Sequence, residues 1–204
     1  MTDKELISGI INRDNVAIQF LVSHYHKKVI KTAYYFVHDM KDAEDLAQDV
    51  CIEVLESANL FKGNSSLNTW IYRITVNKSL NFIRKNKRKQ LFSQIESIFR
   101  KQDGFQVVEH LEPIYHETTL DDTERRMILE RSINTLPENQ KTAFILSKYD
   151  GLPYKEIAEI MKVSLASVEQ LLHRAKMNLQ KKLVVHYAEY STKNKTNELR
   201  KFQK

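Results

Sequence analysis

Glycine, proline and cysteine are scarce in this chain of 204 residues, which has four glycines, three prolines and one cysteine. Sheets with frequent turns need more turn residues, and charged and apolar residues here interleave at helical spacing, so we predict an all-α protein. Because Cys51 is the only cysteine, an internal disulfide and a zinc cluster of thiolates are excluded. A lone thiol fits a reducing compartment, and we interpret Cys51 as a core residue.

The sequence also lacks an apolar run long enough to span a bilayer. Its first residues, MTDKEL, have neither the basic nor the apolar part of a signal peptide. We therefore expect a cytoplasmic protein without membrane insertion. Metal-binding patterns are missing too, since His24 and His26 diverge on a helix and no HExxH or carboxylate–histidine set accompanies them. We expect no metal site and no cofactor.

The composition changes along the chain in a way that predicts two small helical domains joined by an acidic linker. From Arg73 to Lys89 there are seven basic residues and no acid, whereas Asp103 to Glu124 holds seven acids and no Lys or Arg. We place an N-terminal domain at 1–89, the linker at 90–122, a C-terminal domain at 123–186 and a basic tail, expected to be disordered, at 187–204. The net charge of +6 suits a polyanionic partner, although charge alone is weak evidence.

The stretch from Pro153 to Leu183 has the pattern of a helix-turn-helix. Two apolar stripes at helical spacing predict two helices, with Lys162-Val163-Ser164 as the turn, Val163 filling the corner and Ser164 capping the second helix. The first stripe is Ile157, Ala158 and Met161, and the second is Val168, Leu172, Ala175, Leu179 and Leu183. The opposite face of the second helix carries groups that suit a major groove: Ala166, Gln170, His173, Arg174 and Met177, with Glu169 on the border. From spacing alone, an ordinary pair of bundle helices fits equally well.

A predicted helix from Asp42 has an acidic face and an apolar face. The apolar face, expected to be buried, contains Ala43, Leu46, Ala47, Val50 and Val54. The carboxylates recur at steps of three and four, with no Lys or Arg among them: Asp42, Asp45, Asp49, Glu53 and Glu56. Like charges at this spacing each cost about 0.2–0.5 kcal/mol unless a partner offsets them. A basic protein partner explains the stripe best. A solvated face and an acid/base pair are alternatives, the latter without a visible apolar pocket to raise a pKa.

The next predicted helix combines aromatic, amide and basic side chains. Measured from Trp70, one face contains Arg73, Ile74, Asn77, Asn81, Arg84 and Arg88. The neighbouring side, predicted to be buried, contains Leu67, Ile71 and Phe82. Aromatic rings that stack bases beside cations that follow phosphates are typical of single-stranded nucleic-acid binding. The alternative is a core tryptophan beside a basic surface. Residues 59–66, NLFKGNSS, read as the loop before this helix.

Two sets of motifs carry a resemblance to a known family. LPENQKTAFIL, DGLPYKEIA and VSLASVEQLLHRA resemble the C-terminal promoter-binding domain of bacterial sigma factors. DAEDLAQDV and FKGNSSLNTWIYRITVN resemble the N-terminal domain of their extracytoplasmic-function (ECF) group. The resemblance covers about three quarters of the chain. Glu169 and Leu171 depart from it, because many members carry Lys or Arg there.

This resemblance implies three binding surfaces. The acidic helix would dock on a coiled coil of the largest subunit of core RNA polymerase through Asp42, Asp45, Asp49 and Glu53. The -10 promoter element would be bound and melted by Phe61, Asn64, Trp70, Arg73, Asn77, Asn81, Arg84 and Arg88, with Asn77 and the loop from Phe61 to Asn68 holding a flipped base. The -35 element would be read by Ser167, Glu169, Gln170, His173 and Arg174. The implied partners also include the flap of the second-largest subunit and an anti-sigma factor, and the acidic linker would thread the polymerase cleft.

Two other functions remain as alternatives. A dimeric helix-turn-helix regulator would use residues 1–88 for sensing or dimerisation, but the aromatic and basic helix far from the recognition helix argues against it. A helical enzyme would use the carboxylates between Asp42 and Glu53, with or without His24. Because no nucleophile–base set or glycine-rich phosphate loop is present, we predict no catalytic residues.

Overall fold

The computed structural model describes residues 1–100 and 122–201, and within those ranges every regular element is a helix. The α-helices are α1 (Asp3–Ile11), α2 (Asn15–Val37), α3 (Met40–Ser57), α4 (Leu67–Arg100), α5 (Asp122–Asn134), α6 (Glu138–Lys148), α7 (Tyr154–Met161) and α8 (Leu165–Lys201). A short 3₁₀ turn, Ala58–Leu60, follows α3. The all-α prediction is confirmed.

Side-chain caps fix the first helix boundaries. Thr2 and Glu5 form a capping box, in which the Glu5 amide donates to the Thr2 hydroxyl and the Thr2 amide donates to the Glu5 carboxylate. Asp14 caps α2 by accepting from the Val16 amide, and Asp39 caps α3 in the same way. Between α2 and α3, His38 adopts a left-handed conformation and closes the last turn of α2.

The described residues form two compact units. One unit contains α1 to α4 together with Ile145–Val163, and the other contains α5, α6 up to Phe144, and α8. The segment from Ile145 to Val163, which includes α7, therefore packs with the N-terminal helices. We had predicted this segment as part of the C-terminal domain. The boundaries of the four predicted regions remain a prediction.

The core of the first unit joins α1, α2, α3 and the beginning of α4. The apolar residues predicted to be buried on α3 are all buried there: Ala43, Leu46, Ala47, Val50 and Val54. Ala47, Val50 and Val54 share a cluster with Leu6, Ile10, Leu21, Leu67 and Ile71, among others. Ala43 and Leu46 pack with Ala33 of α2 in a second cluster. Gly9 lets α1 approach α2, because a Cβ at this position would lie 2.5 Å from the Cβ of Ala17.

In the second unit, α5 packs against α8. Its buried residues include Ile133, Leu136, Ala143, Val168, Ala175 and Leu179. The Asn178 amide donates to the Gln140 side-chain oxygen at 2.8 Å, which links α8 to α6. The stripe predicted for the second helix of the helix-turn-helix is therefore buried at Val168, Ala175 and Leu179, and half-buried at Leu172 and Leu183.

Helix α4 continues past Lys89 to Arg100, and α8 continues to Lys201. The predicted region boundaries and the expected disorder of the tail stay predictions. Neither extension contains a glycine or proline to end the helix. Val163 does not fill the corner between α7 and α8, since 36% of it is exposed, whereas Ile160 is buried. The remaining part of the acidic linker, 101–121, lies outside the described residues.

Candidate nucleic-acid and polymerase interfaces

The loop before α4 presents one face of the candidate -10 site. Gly63 adopts a φ of +71° with open space around it, so the chain turns sharply beside the exposed Asn64. The Ser66 hydroxyl caps the helix by accepting from the Thr69 amide, and the Leu67 amide donates to the Asp3 carboxylate at 2.8 Å. These bonds fix where α4 begins relative to α1.

Trp70 lies at the junction of the core and this surface. It is half-buried against the main hydrophobic cluster, and its ring is 5.3 Å from that of Phe61 at 49°. Trp70 therefore contributes to the core while part of it stays accessible, and its role in nucleic-acid binding stays a prediction. Ile74, which we placed on the same face, is buried instead.

Beyond Trp70, α4 carries an exposed row of amides and cations. Asn77, Asn81, Arg84 and Arg88 are all exposed, and Arg84 donates to the Asn81 side-chain oxygen at 3.3 Å. Arg73 differs from this row. Its guanidinium donates to the backbone carbonyl of Glu159 at 2.8 Å, and its Nε is buried without an acceptor among the described residues.

The carboxylates on the acidic face of α3 differ in their exposure and in their ion pairing. Asp45, Asp49 and Glu56 are exposed, while Asp42 and Glu53 are half-buried. Glu53 forms an ion pair with Lys78 of α4, with 2.8 Å between the Lys78 Nζ and the Glu53 Oε2. The sequence reading missed this pair, because a cation on another helix leaves no local signal. Asp45 and Asp49 are therefore the acids best placed to meet a basic partner.

The candidate recognition helix begins as predicted. Ser164 caps α8 by accepting from the Ser167 amide at 3.1 Å, and the two hydroxyls lie 2.8 Å apart. The outward residues Glu169, Gln170, His173 and Arg174 are all exposed, whereas Ser167 is half-buried. Four of the five predicted -35 residues thus share one accessible face, and Ser167 is engaged in the cap.

A part-buried polar network that the sequence analysis missed surrounds the Asp150-Gly151 turn. The Thr32 hydroxyl lies 3.0 Å from the Asp150 carboxylate, and Lys31 donates to the Tyr149 carbonyl. Burial raises the pKa of Asp150 to about 6, although the Thr32 bond and the Lys31 charge oppose the shift. Burial likewise raises the pKa of Tyr72 to about 12. Only proximity in the fold reveals this network, because its members are far apart in sequence.

Further observations concern the reactivity of Cys51, metal binding and membrane-spanning helices. Cys51 is half-buried, and burial raises the pKa of its thiol, which disfavours the reactive thiolate. Across residues 1–100 and 122–201, no group of three or more His, Cys, Asp or Glu side chains is arranged to hold a metal ion. Within the same ranges, no helix has the length and apolarity needed to cross a membrane.

Two family models match the parts of the chain that contain the candidate DNA-binding residues. Residues 21–89 match sigma-70 region 2, and residues 126–179 match sigma-70 region 4. The ECF RNA polymerase sigma-E factor of Haemophilus influenzae is 30% identical over 184 residues, covering 90% of this chain and 96% of that protein. The sigma-E factor of Escherichia coli K12 is also 30% identical, and the sigma-H factor of Pseudomonas aeruginosa is 28% identical over 188 residues.

The chain belongs to the sigma-70 family of transcription initiation factors, which direct RNA polymerase to promoters. Within that family it is a sigma factor of the ECF group.

Solved structures agree on the fold. CnrH in complex with the cytosolic domain of CnrY aligns with a TM-score of 0.64 over 90% of this chain and 97% of that one, at 17% identity. The sigma factor RpoE of Bartonella quintana, in complex with the anti-sigma factor NepR, aligns with a TM-score of 0.56 over 80% of this chain and 94% of that one, at 22% identity.

Proposed function

We propose that this sigma factor divides promoter recognition and polymerase binding among three surfaces. The observation that carries the proposal is the exposed row on α4 from Asn77 to Arg88, which continues from the Phe61–Trp70 ring pair. Accessible rings beside amides and guanidiniums suit separated DNA strands, whereas duplex DNA hides its base faces.

In this proposal the -10 element is captured as single strands. Phe61, Asn64 and Asn77 hold a flipped base, and Trp70 keeps the strands apart. Arg84 and Arg88, with Asn81 between them, follow the phosphates. Arg73 completes the set when it is released from Glu159. Base stacking is worth about 1–3 kcal/mol per base, enough to favour the melted state once the strands part.

The acidic face of α3 is the proposed polymerase contact, with a basic coiled coil of the largest subunit as its partner. Asp45 and Asp49 are exposed and carry the main charge. Asp42 and Glu53 lie at the margins, and Glu53 already has Lys78 as a partner. Opposite charges on the two surfaces would accelerate association and fix its orientation.

The exposed face of α8 is the proposed -35 reader. Arg174 suits a bidentate contact to guanine, Gln170 suits adenine, and His173 lies between them. Glu169 accepts from a cytosine amino group or lowers phosphate affinity, while Ser167 holds the helix start near the backbone. The flap of the second-largest polymerase subunit is the proposed docking site of this region.

We further propose that the protein has no enzymatic activity and acts in the cytoplasm, where RNA polymerase works. The named structural relatives CnrH and RpoE are complexed with CnrY and the anti-sigma factor NepR respectively. By analogy, an anti-sigma factor is the proposed regulator of this chain.

Gel filtration with core RNA polymerase separates the proposal from its alternatives. A sigma factor forms a one-to-one complex with the core enzyme that survives the column. A dimeric regulator elutes separately as a dimer and binds duplex DNA without polymerase. A helical enzyme neither joins core polymerase nor binds DNA. Elution of this protein apart from core polymerase would therefore contradict the proposal.

A further inference from the structure

The stretch of α4 at residues 87–93, here called the distal segment, is exposed on all sides. Each of its residues is exposed, and seven consecutive positions cover every face of a helix. Leu91 and Phe92 lie in it with 57% and 68% of their surface exposed. In the sequence, apolar residues continue at steps of three and four with Ile95, Ile98 and Phe99. Such a stripe is typical of a helix that binds in an apolar groove of a partner.

A groove of matching character lies in the same compact unit, between the end of α1, the start of α2 and the end of α3. Its volume is about 700 Å³, within the range of about 300–1,000 Å³ that binding clefts have. The apolar part of its wall is aliphatic: Ile10, Ile11, Ile18, Leu55 and Ala58. Ile11 is 51% exposed, so this apolar surface is accessible to a partner. The polar lining residues are Arg13, Asn15, Glu56 and Asn59.

The charges around the two surfaces are complementary. The distal segment contains the exposed cations Lys87, Arg88 and Lys89. The groove lies at one end of the acidic face of α3, because Glu56 is both a lining residue and the last carboxylate of that face. Opposite charges on two surfaces accelerate their association and fix its orientation.

The spacing of the charged and apolar groups agrees as well. Asp49 and Glu56 are seven positions apart on α3, and Lys85 and Phe92 are seven positions apart on α4. Seven positions are about 10 Å along a helix and return to nearly the same face. A distal segment lying parallel to α3 would therefore bring Lys85 beside Asp49 when Phe92 reaches the groove.

The distal segment cannot reach the groove of its own chain. Residues 67–100 form one uninterrupted helix, and the Leu67 amide at its start is bonded to Asp3 of α1. Phe92 lies 25 positions further on, or about 37 Å along the helix axis, whereas the nine residues of α1 span only about 14 Å. A second copy of the chain can supply the segment, because every copy exposes both surfaces.

We propose that the groove binds the distal segment of a second copy of this chain, so that the free sigma factor associates head to tail. Each chain offers one groove and one segment, so the contact joins two different surfaces and can add further copies. The bound segment covers the acidic face of α3. Self-association and polymerase binding therefore exclude each other, a consequence that rests on the proposed polymerase contact.

Sedimentation velocity of the full chain over a concentration series tests the self-association. The wild type is expected to sediment as single chains of 24.0 kDa when dilute, and as dimers and larger species when concentrated. Phe92→Asp is expected to remain a single chain, because a charge replaces the apolar anchor. Ser93→Asp is the matched control, since it adds the same charge at the next exposed position, and it is expected to associate as the wild type does.

A groove variant makes the test specific for two different surfaces. Ile11→Asp is expected to remain a single chain, whereas Asn12→Asp, at the next exposed position, is expected to associate. An equimolar mixture of Phe92→Asp and Ile11→Asp is expected to form a complex of two chains and no more. The first variant still offers its groove, and the second still offers its distal segment. Direct pairing of two distal segments predicts instead that Ile11→Asp associates alone.

A wild type that stays a single chain at every concentration would overturn the proposal, and so would a mixture of the two variants that stays uncomplexed. Circular dichroism on each variant checks that the helices are intact. Core polymerase added to associated wild type is expected to convert it into one-to-one complexes.

The same experiments separate this inference from the proposed function. If the wild type binds core polymerase but never self-associates, the inference fails and the proposed function stands. If it self-associates and the two variants complement each other, but core polymerase is not bound, the proposed function fails and the self-association stands.

Discussion

At the scale of single residues, charge and exposure separate the functional side chains from structural ones. Asp45 and Asp49 are exposed, whereas Glu53 is half-buried and paired with Lys78. A solvent-accessible ion pair of this kind contributes about 0–1 kcal/mol. The acidic residues of α3 can therefore be ranked by how strongly the substitution of each is expected to weaken polymerase binding.

Reversing the charge of Asp45 is expected to weaken core polymerase binding strongly. Asp45→Lys would place a cation against a basic partner surface, and like-charge juxtaposition costs several kcal/mol. The measurement is the dissociation constant for core polymerase. Glu44→Lys, which makes the same charge change at an exposed position outside the acidic stripe, is the control. Equal losses in both variants would mean that the effect is one of net charge alone.

Arg174 is expected to determine specificity rather than general affinity. A bidentate arginine contact to guanine supplies about 1–3 kcal/mol of discrimination, so Arg174→Ala should relax the preferred base at one position of a randomised -35 library. Lys176→Ala, at an exposed position two residues on, should weaken all promoters alike if Lys176 contacts phosphate. A uniform loss for Arg174→Ala, without a change in preferred bases, would make Arg174 a backbone contact.

Gly9 illustrates a residue whose importance comes from packing. Helix propensity alone favours Gly9→Ala by about 1 kcal/mol. The added Cβ would meet the Ala17 Cβ at 2.5 Å, however, and overpacking costs about 1–3 kcal/mol. We therefore expect Gly9→Ala to lower the free energy of unfolding, measured by urea denaturation. The neighbouring exposed Ser8→Ala should not lower it, and a stabilised Gly9→Ala would show that α1 can move away from α2.

At the scale of helices, α4 begins in the core and then presents exposed amides and cations between Asn77 and Arg88. Sequence periodicity predicted the buried Leu67 and Ile71 and the exposed residues from Asn77 to Arg88. It misplaced Ile74, because the outward face does not begin until the helix leaves the core. Helix propensity also did not predict where α4 ends, because no glycine or proline lies between Lys89 and Arg100.

Asn77→Ala is expected to permit closed promoter complexes and to block their opening. Asn77 is exposed, so the substitution should leave the fold intact, whereas Trp70→Ala would also disturb the core against which the ring packs. Permanganate footprinting of holoenzyme complexes on duplex promoters measures the opening. For Trp70→Ala, a premelted bubble template should restore much of the loss. Normal opening by both variants would remove these residues from the melting machinery.

Docking of residues 149–161 on the N-terminal helices is expected to depend on pH through Asp150. The pKa of Asp150 is about 6 when docked, against an ordinary value of 3.8, so the docked state binds the proton more tightly. This contribution to docking is fully present below pH 3.8 and is lost as the pH rises through about 6. The charged and titratable groups near Asp150 are Lys31 of α2 and Tyr72 of α4, and Glu156 of α7 acts in turn on Tyr72.

Spin labels on α2 and α7 can measure this dependence. With Cys51 replaced by alanine and cysteines introduced at the exposed positions Lys27 and Lys155, the docked distance should be more populated at pH 5 than at pH 7.5. Asp150→Asn, which cannot ionise, should remove the difference and favour docking at pH 7.5. A larger docked population at pH 7.5 in the unsubstituted protein would contradict the sign.

At the scale of the whole molecule, local signals predicted much of the fold, while contacts between distant segments could not be predicted. The caps at Thr2 and Ser164 and the buried face of α3 follow from residues within one turn of each other. The bonds from Thr32 to Asp150 and from Arg73 to Glu159 join positions that have no shared periodicity. Such contacts depend on how helices pack, so their side chains look like ordinary surface residues in the sequence.

The central claim is that this chain directs RNA polymerase to a particular set of promoters. Sequencing the 5′ ends of transcripts made from genomic DNA by core polymerase, with and without this protein, tests it most directly. We predict discrete start sites that appear only when the protein is added and that share two short upstream elements at constant spacing. Identical start sites with and without the protein would contradict the account.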